Sequence, residues 1–418
     1  MNYRTRTALI GVGALGLVAI YGPANAVEGI SDTEVHIGGT CPSSGPLASF
    51  GTVCAIEEAY FAYVNDKFGG VKMGDGKTRK IKYTWYNDEY SPPRAVEQVH
   101  RLVERDQVFA LIGSLGTAPN LAVWDYVNRK GVPHLYTGTG ASIFSSDFEK
   151  HPWTMGWQMN YVTEGTIYAQ FIKENKPNAT VAVLYQNDDF GKELLTSFKR
   201  ASAGSNIKVV AESSYEVSSP TVDSQIINLA NSKADVFLNF SIPRFAAQAV
   251  RKIHEVGWKP MHIMVTISAS IKGVFEPAGL EASQGIYSGA YVMDPTNPKW
   301  KDDSAIKLYR EIGAKYGSKS VSLDEPIGMV GFATAQQMVR TLAATKAPTR
   351  DALMASARSQ CGVDIKGMIP GVKVCVDGKK DPFAVESMQM QQFKGRQWEM
   401  IGSTITTFEG RTPLPGKN

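Results

Sequence analysis

The chain has 418 residues, of which 43% are hydrophobic and 20% are charged, a composition typical of a globular protein. A single hydrophobic core stops growing at about 250–300 residues, so this length predicts two domains. The 44 Lys and Arg residues against 40 Asp and Glu give a net charge of +4, which argues against a nucleic-acid or polyanion binder.

The first 26 residues have the pattern of a secretory signal peptide. Arg4 and Arg6 supply a positive start, Ala8–Ile20 is an uncharged apolar run, and Ala24-Asn25-Ala26 is a small-x-small cleavage site. The apolar run is shorter than the roughly 20 residues needed to span a bilayer. We therefore expect cleavage after Ala26 and export of the mature chain to the periplasm.

From Glu34 onward, short apolar strands alternate with helices. The first part predicts strands at Val35–Thr40 and Lys80–Tyr86 and helices around Val53–Tyr63 and at Arg94–Glu104. After His151-Pro152 the alternation resumes, with strands at Thr180–Tyr185, Lys208–Glu212, Asp235–Phe240 and His262–Ile267 among helices at Glu164–Glu174, Lys192–Ala203, Val222–Ala230 and one that runs through Val256. This pattern is typical of an α/β fold with two doubly wound parallel sheets.

Two loops in the central stretch, residues 109–142, are rich in small and hydroxyl-bearing residues. Each follows a short apolar run, at Phe109–Ile112 and at Val132–Tyr136. At the carboxyl ends of parallel strands, such loops open helix N-termini, where free backbone N–H groups and the helix dipole favour an anion. Tight turns and caps are the alternative explanation for one loop alone. Together the loops predict a carboxylate cradle formed by Ser114, Gly116, Thr117, Gly138, Thr139 and Gly140.

Three extended segments, at residues 151–157, 285–292 and 385–393, indicate where the chain passes between two lobes. We expect a first lobe of residues 27–154 with 290–382 and a second lobe of residues 155–289 with 383–418. The two lobes would be joined by a three-segment hinge. The cleft between them would be the binding site.

The sequence shows no catalytic motif. It lacks the GxSxG, HExxH and GxxxxGK[ST] patterns, and its six histidines show no metal-ligand spacing. Asp188-Asp189 is the best carboxylate pair, and a solvated helix start explains it better than catalysis does. We therefore predict a binding protein rather than an enzyme, with no catalytic residue, metal or cofactor.

Four cysteines occur as two close pairs in sequence. An oxidising compartment favours the disulfides Cys41–Cys54 and Cys361–Cys375, although the sequence alone permits other pairings.

Further candidate ligand contacts fall near the ends of predicted strands that face the cleft. They need to provide apolar walls and a few fixed polar groups, because ligand clefts combine the two. Burial in the core is the alternative for each aromatic residue among them. The candidates are Tyr136, Phe190, Ser241, Ser268 and Tyr291.

Several segments occur in a familiar order and spacing: VHIGGTCPSSGPLASFG, ALIGSLGT, YTGTGAS, HPWTMGWQMNYVTEG and AVLYQNDDFGKE. In these the chain resembles the type I periplasmic substrate-binding proteins of ABC importers, in the branched-chain amino-acid binding group. The resemblance covers most of the mature chain. It implies that Gly116, Thr117 and Gly138–Gly140 hold a ligand carboxylate and that Phe190 covers the ligand.

The chain departs from this group at one position. Members that bind amino acids use a carboxylate of the second lobe for the ligand ammonium, at the strand end that is Thr266–Ser268 here, and Glu276 is the first acid beyond it. The burial of an ammonium group without a partner costs several kcal/mol of free energy. We therefore expect an aromatic or short aliphatic carboxylate without an α-ammonium, unless Asp188 or Asp189 supplies the missing charge.

The resemblance also implies the partners. A monomer would capture the carboxylate by closing its lobes and would deliver it to an ABC permease and ATPase in the inner membrane, with no nucleic acid involved. A branched-chain or other hydrophobic amino-acid binding protein of the same transporter type is the alternative. A ligand sensor for a receptor or regulator and an extracytoplasmic hydrolase are the alternatives of other classes.

Overall fold

The computed structural model describes residues 27–318, 321–378 and 380–413. The expected signal peptide, residues 1–26, lies outside this range. Of the helices described, none is both long enough and apolar enough to cross a membrane.

The strands are β1 (Glu34–Cys41), β2 (Val71–Lys72), β3 (Thr78–Asn87), β4 (Ala110–Ile112), β5 (His134–Thr137), β6 (Thr154–Gly156), β7 (Thr180–Gln186), β8 (Lys208–Tyr215), β9 (Val236–Phe240), β10 (Met261–Met264), β11 (Tyr287–Ala290), β12 (Ser359–Val363), β13 (Val374–Asp377), β14 (Met388–Lys394) and β15 (Gln397–Ile405). The α-helices are α1 (Thr52–Phe68), α2 (Pro92–His100), α3 (Thr117–Lys130), α4 (Ile143–Ser146), α5 (Tyr161–Asn175), α6 (Asp189–Ser202), α7 (Asp223–Asn231), α8 (Pro243–Glu255), α9 (Glu276–Ala278), α10 (Ser304–Tyr316), α11 (Pro326–Ala344) and α12 (Arg350–Ala357).

The first sheet has the strand order β2-β3-β1-β4-β5-β6. Its strands are parallel, except that the short edge strand β2 pairs antiparallel with β3. Strand β1 is buried from Val35 to Cys41, as a parallel strand covered by helices on both faces requires. Because β4 and β5 are parallel neighbours, the loops that follow them lie side by side at the carboxyl edge of the sheet.

The second sheet has the order β15-β14-β11-β10-β9-β7-β8. The five strands from β8 to β11 in this order are parallel, and β14 and β15 add an antiparallel hairpin at the edge. Gly395, with φ of 60°, makes the tight turn of this hairpin. The sequence predicted the parallel strands, and the fold class is confirmed.

The chain crosses between the two sheets three times: after β6, after β11 and before β14. Two of these crossings run side by side, because Met159 and Val385 form a parallel bridge. In the following sections, the first lobe is the one that contains the first sheet and the second lobe is the one that contains the second sheet.

Several element boundaries differ from the sequence prediction, and two of the differences have a clear physical cause. Helix α5 begins at Tyr161 rather than Glu164, because the Asn160 side chain caps it by accepting from the Thr163 N–H at 2.8 Å. Strand β10 ends at Met264 rather than Ile267. The Thr266 N–H donates to the Glu164 carboxylate at 2.8 Å, and the backbone there turns into a short 3₁₀ segment.

Both predicted disulfides are formed. Cys41–Cys54 joins the end of β1 to α1, and both residues are fully buried. Cys361–Cys375 joins β12 to β13 in a small antiparallel hairpin.

Candidate ligand-binding cleft

Two neighbouring chambers lie between the lobes, at the carboxyl ends of the parallel strands. We call the one beside the loops after β4 and β5 the inner chamber and its larger neighbour the outer chamber. They share part of their walls, since Phe50, Ile267 and Ile327 line both. The cavity of the inner chamber measures about 20 Å³ in this closed arrangement and is lined by Phe50, Tyr90, Leu115, Gly116, Thr117, Gly138, Gln158, Tyr161, Phe190, Ile242, Ile267 and Ile327.

The loops after β4 and β5 are held to each other by main-chain hydrogen bonds. Leu115 and Gly138 form a parallel bridge that extends the sheet. The Gly116 N–H donates to the Gly138 carbonyl at 3.1 Å, and the Gly138 N–H donates to the Ser114 carbonyl at 2.8 Å. The expectation that free N–H groups of both loops face the ligand is therefore wrong for Gly116 and Gly138, because the loops use these donors to pair with each other.

Thr117 provides the hydrogen-bonding end of the inner chamber. It is the first residue of the 14-residue helix α3, where the first N–H groups lack intrahelical partners and the helix dipole favours an anion. Its hydroxyl is hydrogen-bonded to the Thr139 hydroxyl at 2.7 Å. Thr139 also accepts from the Ala141 N–H at 3.1 Å. Thr139 therefore orients the Thr117 hydroxyl and does not line the chamber.

Gly116 is required by the close approach of Tyr90. With Gly116 at φ of 101°, an added Cβ would lie 2.3 Å from Cε2 of the Tyr90 ring. Tyr90 itself has a positive φ of 60° and is fixed by its N–H, which donates to the Asp88 carboxylate at 2.9 Å. Its side chain lies near Gln186 of the second lobe, and burial raises the pKa of its hydroxyl. This ring therefore closes one side of the chamber from the first lobe.

Apolar side chains form most of the remaining wall. Phe190, at the start of α6, packs against Tyr161 with ring centroids 5.2 Å apart. Ile242 follows β9 and Ile267 follows β10, so each extends from a strand end of the second lobe. None of the described residues that line the inner chamber is Asp, Glu, Lys, Arg or His.

The predicted contacts are only partly brought together. Gly116, Thr117, Gly138 and Phe190 line the inner chamber, and Tyr291 lines the outer one. The linings of both chambers leave out Ser114, Tyr136, Thr139, Gly140, Ser241 and Ser268.

The predicted residues outside the linings have other partners. The Tyr136 hydroxyl is hydrogen-bonded to Thr341, and the Ser268 hydroxyl donates to the Ser241 carbonyl, both at 2.5 Å. At Gly140 the backbone passes so close to the first crossing that an added Cβ would lie 2.3 Å from the Met159 carbonyl oxygen.

Most of the wall was not predicted from the sequence. In the second lobe the predicted contacts were displaced by one position, since the lining residues Ile242 and Ile267 are the immediate neighbours of the predicted Ser241 and Ser268. Nothing local in the sequence identifies Phe50, Gln158 or Ile327, which come from a 3₁₀ helix, a crossing segment and a helix start.

The cavity of the outer chamber measures about 60 Å³ and has contributions from both lobes. Its apolar lining includes Val330 and Trp398, and its acidic residues are Asp294 and Glu325. Burial raises the pKa of both carboxyl groups above the ordinary range. Neither acid was singled out from the sequence.

Asp188 does not line either chamber. Its carboxylate caps α6 by accepting from the Gly191 N–H at 3.3 Å and also accepts from the Gln186 amide at 2.6 Å. This is the helix-start role that the sequence favoured. Within the described ranges, no three His, Cys, Asp or Glu side chains come together as metal ligands.

Hydrogen bonds between the lobes hold the cleft closed. Glu193 on α6 accepts from the Ser142 N–H at 3.1 Å and from the Ser142 hydroxyl. On the other side, the Ser270 hydroxyl donates to Glu325 at 2.6 Å. Burial raises the pKa of Glu193 to about 6. These contacts show the arrangement that lobe closure produces.

Known proteins resemble the chain over most of its length. The family model described as "Periplasmic binding protein" matches residues 34–397. The Leu/Ile/Val-binding protein homolog 7 of Brucella suis is 22% identical over 296 residues, which are 69% of this chain and 70% of that protein.

Solved structures agree on the fold. A fatty acid ABC transporter substrate-binding protein from Thermomonospora curvata superposes with a TM-score of 0.78 at 19% identity, covering 93% of this chain and 96% of the other. An ABC transporter solute-binding protein from R. palustris, solved in complex with benzoate, superposes with a TM-score of 0.72 at 18% identity, covering 88% and 96%.

Proteins of this family bind small molecules, work with ABC transporter permeases and are located outside the cytoplasm. The family match over most of the chain, the two parallel sheets and the interlobe cleft agree with one another. The chain therefore belongs to the periplasmic binding protein family and has the type I fold of its branched-chain amino-acid group.

Proposed function

We propose that this protein is the periplasmic solute-binding component of an ABC importer and that it captures a small apolar carboxylate in the inner chamber. As a monomer, it would close over the acid and deliver it to a permease and its ATPase. The observation that supports this most is the chemistry of the chamber, where the Thr117 hydroxyl, the start of α3 and the Gln158 amide lie among mostly apolar and aromatic side chains.

The carboxylate would lie against Thr117. The Thr117 hydroxyl and the first N–H groups of α3 are the donors at that end, and the Gln158 amide can add another. Such charge-assisted hydrogen bonds are stronger than neutral ones. The body of the ligand would pack against Phe190 and Tyr161, whose rings suit an aromatic or short aliphatic group.

An α-ammonium would lack a partner in this chamber. Where amino-acid binding members are expected to place a carboxylate, the side chain that lines the chamber is the apolar Ile267. Asp188 is held by the cap of α6 and by Gln186. We therefore favour an acid without an α-ammonium. Binding of leucine or valine is the alternative, supported by the Leu/Ile/Val-binding homologue of Brucella.

Substitution of Thr117 tests this assignment. A thermal-shift screen with benzoate, cinnamate, hexanoate, leucine and valine first identifies an acid that raises Tm. The substitution Thr117→Val should weaken the binding of that acid by about 10- to 100-fold, as measured by calorimetry, because a hydrogen bond to a charged group contributes roughly 1.5–3 kcal/mol.

Thr117→Ser keeps the hydroxyl and is the matched control, so it should retain most of the affinity. Equal affinity for wild type and Thr117→Val would contradict the position of the carboxylate. Tight binding of leucine or valine with no response to the other acids would favour the amino-acid alternative.

A further inference from the structure

The outer chamber combines an apolar interior with two acidic side chains. Its walls include Phe50, Ile327 and Val330 of the first lobe and Ile267 and Trp398 of the second. Its cavity measures about 60 Å³ in this closed arrangement, and it extends the cleft beyond the inner chamber. It therefore leaves space for a small polar group between the two lobes.

Asp294 lines this chamber and has an unsatisfied carboxylate oxygen. The residue is only 8% exposed, and its Oδ1 accepts from the N–H and the hydroxyl of Thr296 at 2.8 and 2.7 Å. Its Oδ2 is buried and has no hydrogen-bond partner among the residues that the structure describes. A buried acceptor is costly to leave unpaired, which indicates that a donor is missing from this site.

Glu325 places a second carboxyl group on the same chamber. It precedes α11, is 6% exposed and accepts from the Ser270 hydroxyl at 2.6 Å. Repulsion from Glu325 adds to burial in raising the pKa of Asp294. Over the described ranges, neither carboxyl group forms an ion pair with Lys or Arg. Lys272 is near enough to offset part of the Glu325 charge, so the two carboxyl groups lie together with no directly paired cation in the part of the chain that the structure describes.

We propose that the outer chamber binds a protonated amine attached to an apolar group, with Asp294 and Glu325 as its acceptors. An ammonium has three donors and can bond to both carboxylates, while its hydrocarbon part packs against the chamber walls. Ion pairs removed from water in this way are strong when each charge is matched. The site lies apart from Thr117, so the amine is not an α-ammonium next to a carboxylate held there.

The inference rests on the proposed function only in that the interlobe cleft is the ligand site. The amine could come from a separate molecule or from the far end of a ligand whose carboxylate lies against Thr117. Hexylamine represents a separate amine, and 6-aminohexanoate represents an amine at the far end of a carboxylate ligand. Hexan-1-ol has the same six-carbon chain as both but no charge, so it is the neutral control.

Calorimetry with the full mature chain tests the proposal. Hexylamine should bind at least about 30-fold more tightly than hexan-1-ol, and Asp294→Asn should remove most of that difference, because it deletes one partner of a buried ion pair. Asp294→Asn is isosteric and neutral, so the fold should be kept. Asp324→Asn is the control, since Asp324 pairs with Arg310 at 3.2 Å and does not line the chamber.

If 6-aminohexanoate binds more tightly than hexylamine and loses that advantage in Thr117→Val, one ligand occupies both chambers. If it binds no more tightly, the amine site takes a separate molecule. Equal binding of hexylamine and hexan-1-ol, or an unchanged hexylamine affinity in Asp294→Asn, overturns the amine site. Apolar acids can still bind in that case, so this failure is distinct from a failure of the proposed function.

Discussion

Gly116 shows how one residue shapes the inner chamber. Its positive φ permits the turn into α3, and the lack of a side chain lets the Tyr90 ring lie against its Cα. Tyr90 in turn reaches Gln186 across the cleft. A change at this one position should therefore disturb both the backbone and the contact between the lobes.

We expect Gly116→Ala to destabilise the protein by about 2–4 kcal/mol, because it adds a clash with Tyr90 to the backbone strain of a positive φ. The control is Gly204→Ala, where φ is 74° and an added Cβ meets nothing within 4 Å. This control should cost only the strain, about 1 kcal/mol. Urea unfolding of both variants measures the difference, and equal losses would contradict the Tyr90 contact.

Helix α1 carries a fully buried acid, Glu57, whose hydrogen bonds link the helix to the first sheet and to α11. Glu57 accepts from the Tyr83 hydroxyl at 2.7 Å and from the Thr334 hydroxyl at 2.8 Å. Burial raises its pKa to about 7. A carboxyl group with a raised pKa in the folded state makes the protein less stable as pH rises from its unfolded pKa to its folded pKa.

Stability should therefore fall between pH 5 and pH 8, and Glu57→Gln should reduce that fall by about 2 kcal/mol, since the amide does not ionise. Its oxygen can accept from one of the two hydroxyls and its NH2 group can donate to the other. Urea unfolding at the two pH values measures it. The neighbouring exposed carboxylate on α1 gives the control, Glu58→Gln, which should keep the wild-type pH dependence. If Glu57→Gln kept the wild-type pH dependence of the free energy of unfolding, ionisation of Glu57 would not be the cause of the fall in stability.

Elements were predicted well where the sequence signal is local. Buried parallel strands such as Val236–Phe240 are short apolar runs, and these marked the core of both sheets. Residues 385–393 were predicted as an extended crossing segment, and the structure places most of them in β14, which pairs with β15. The end of β10 was missed, because it depends on a contact with the distant Glu164. The outer chamber was missed for the same reason, since Asp294 and Glu325 come from separate segments that only the fold brings together.

One of the contacts that hold the whole molecule closed lies away from both chambers. Glu193 links α6 to Ser142 of the first lobe without lining either chamber. A ligand that touches both lobes favours the closed state, and interlobe contacts of this kind add to the same equilibrium. The apparent affinity therefore depends on how much of the protein can close.

We expect Glu193→Ala to weaken acid binding by about 10-fold, because it leaves the Ser142 N–H without its partner and lowers the population of the closed state. Calorimetry gives the affinity, and small-angle X-ray scattering should show a larger radius of gyration than wild type. Lys192→Ala changes an exposed residue of the same helix and should alter neither value. Unchanged affinity in Glu193→Ala would remove this contact from the closure mechanism.

The interlobe cleft is proposed to hold an anionic group against Thr117, and comparing an acid with its own amide tests this most directly. Benzoate, cinnamate and hexanoate differ from benzamide, cinnamamide and hexanamide mainly in charge, so calorimetric titration of wild type with each pair isolates the carboxylate. The account predicts that at least one acid binds and that its amide binds at least about 10-fold more weakly. Amides that bind as well as their acids, or a protein that binds none of the three acids, would contradict it.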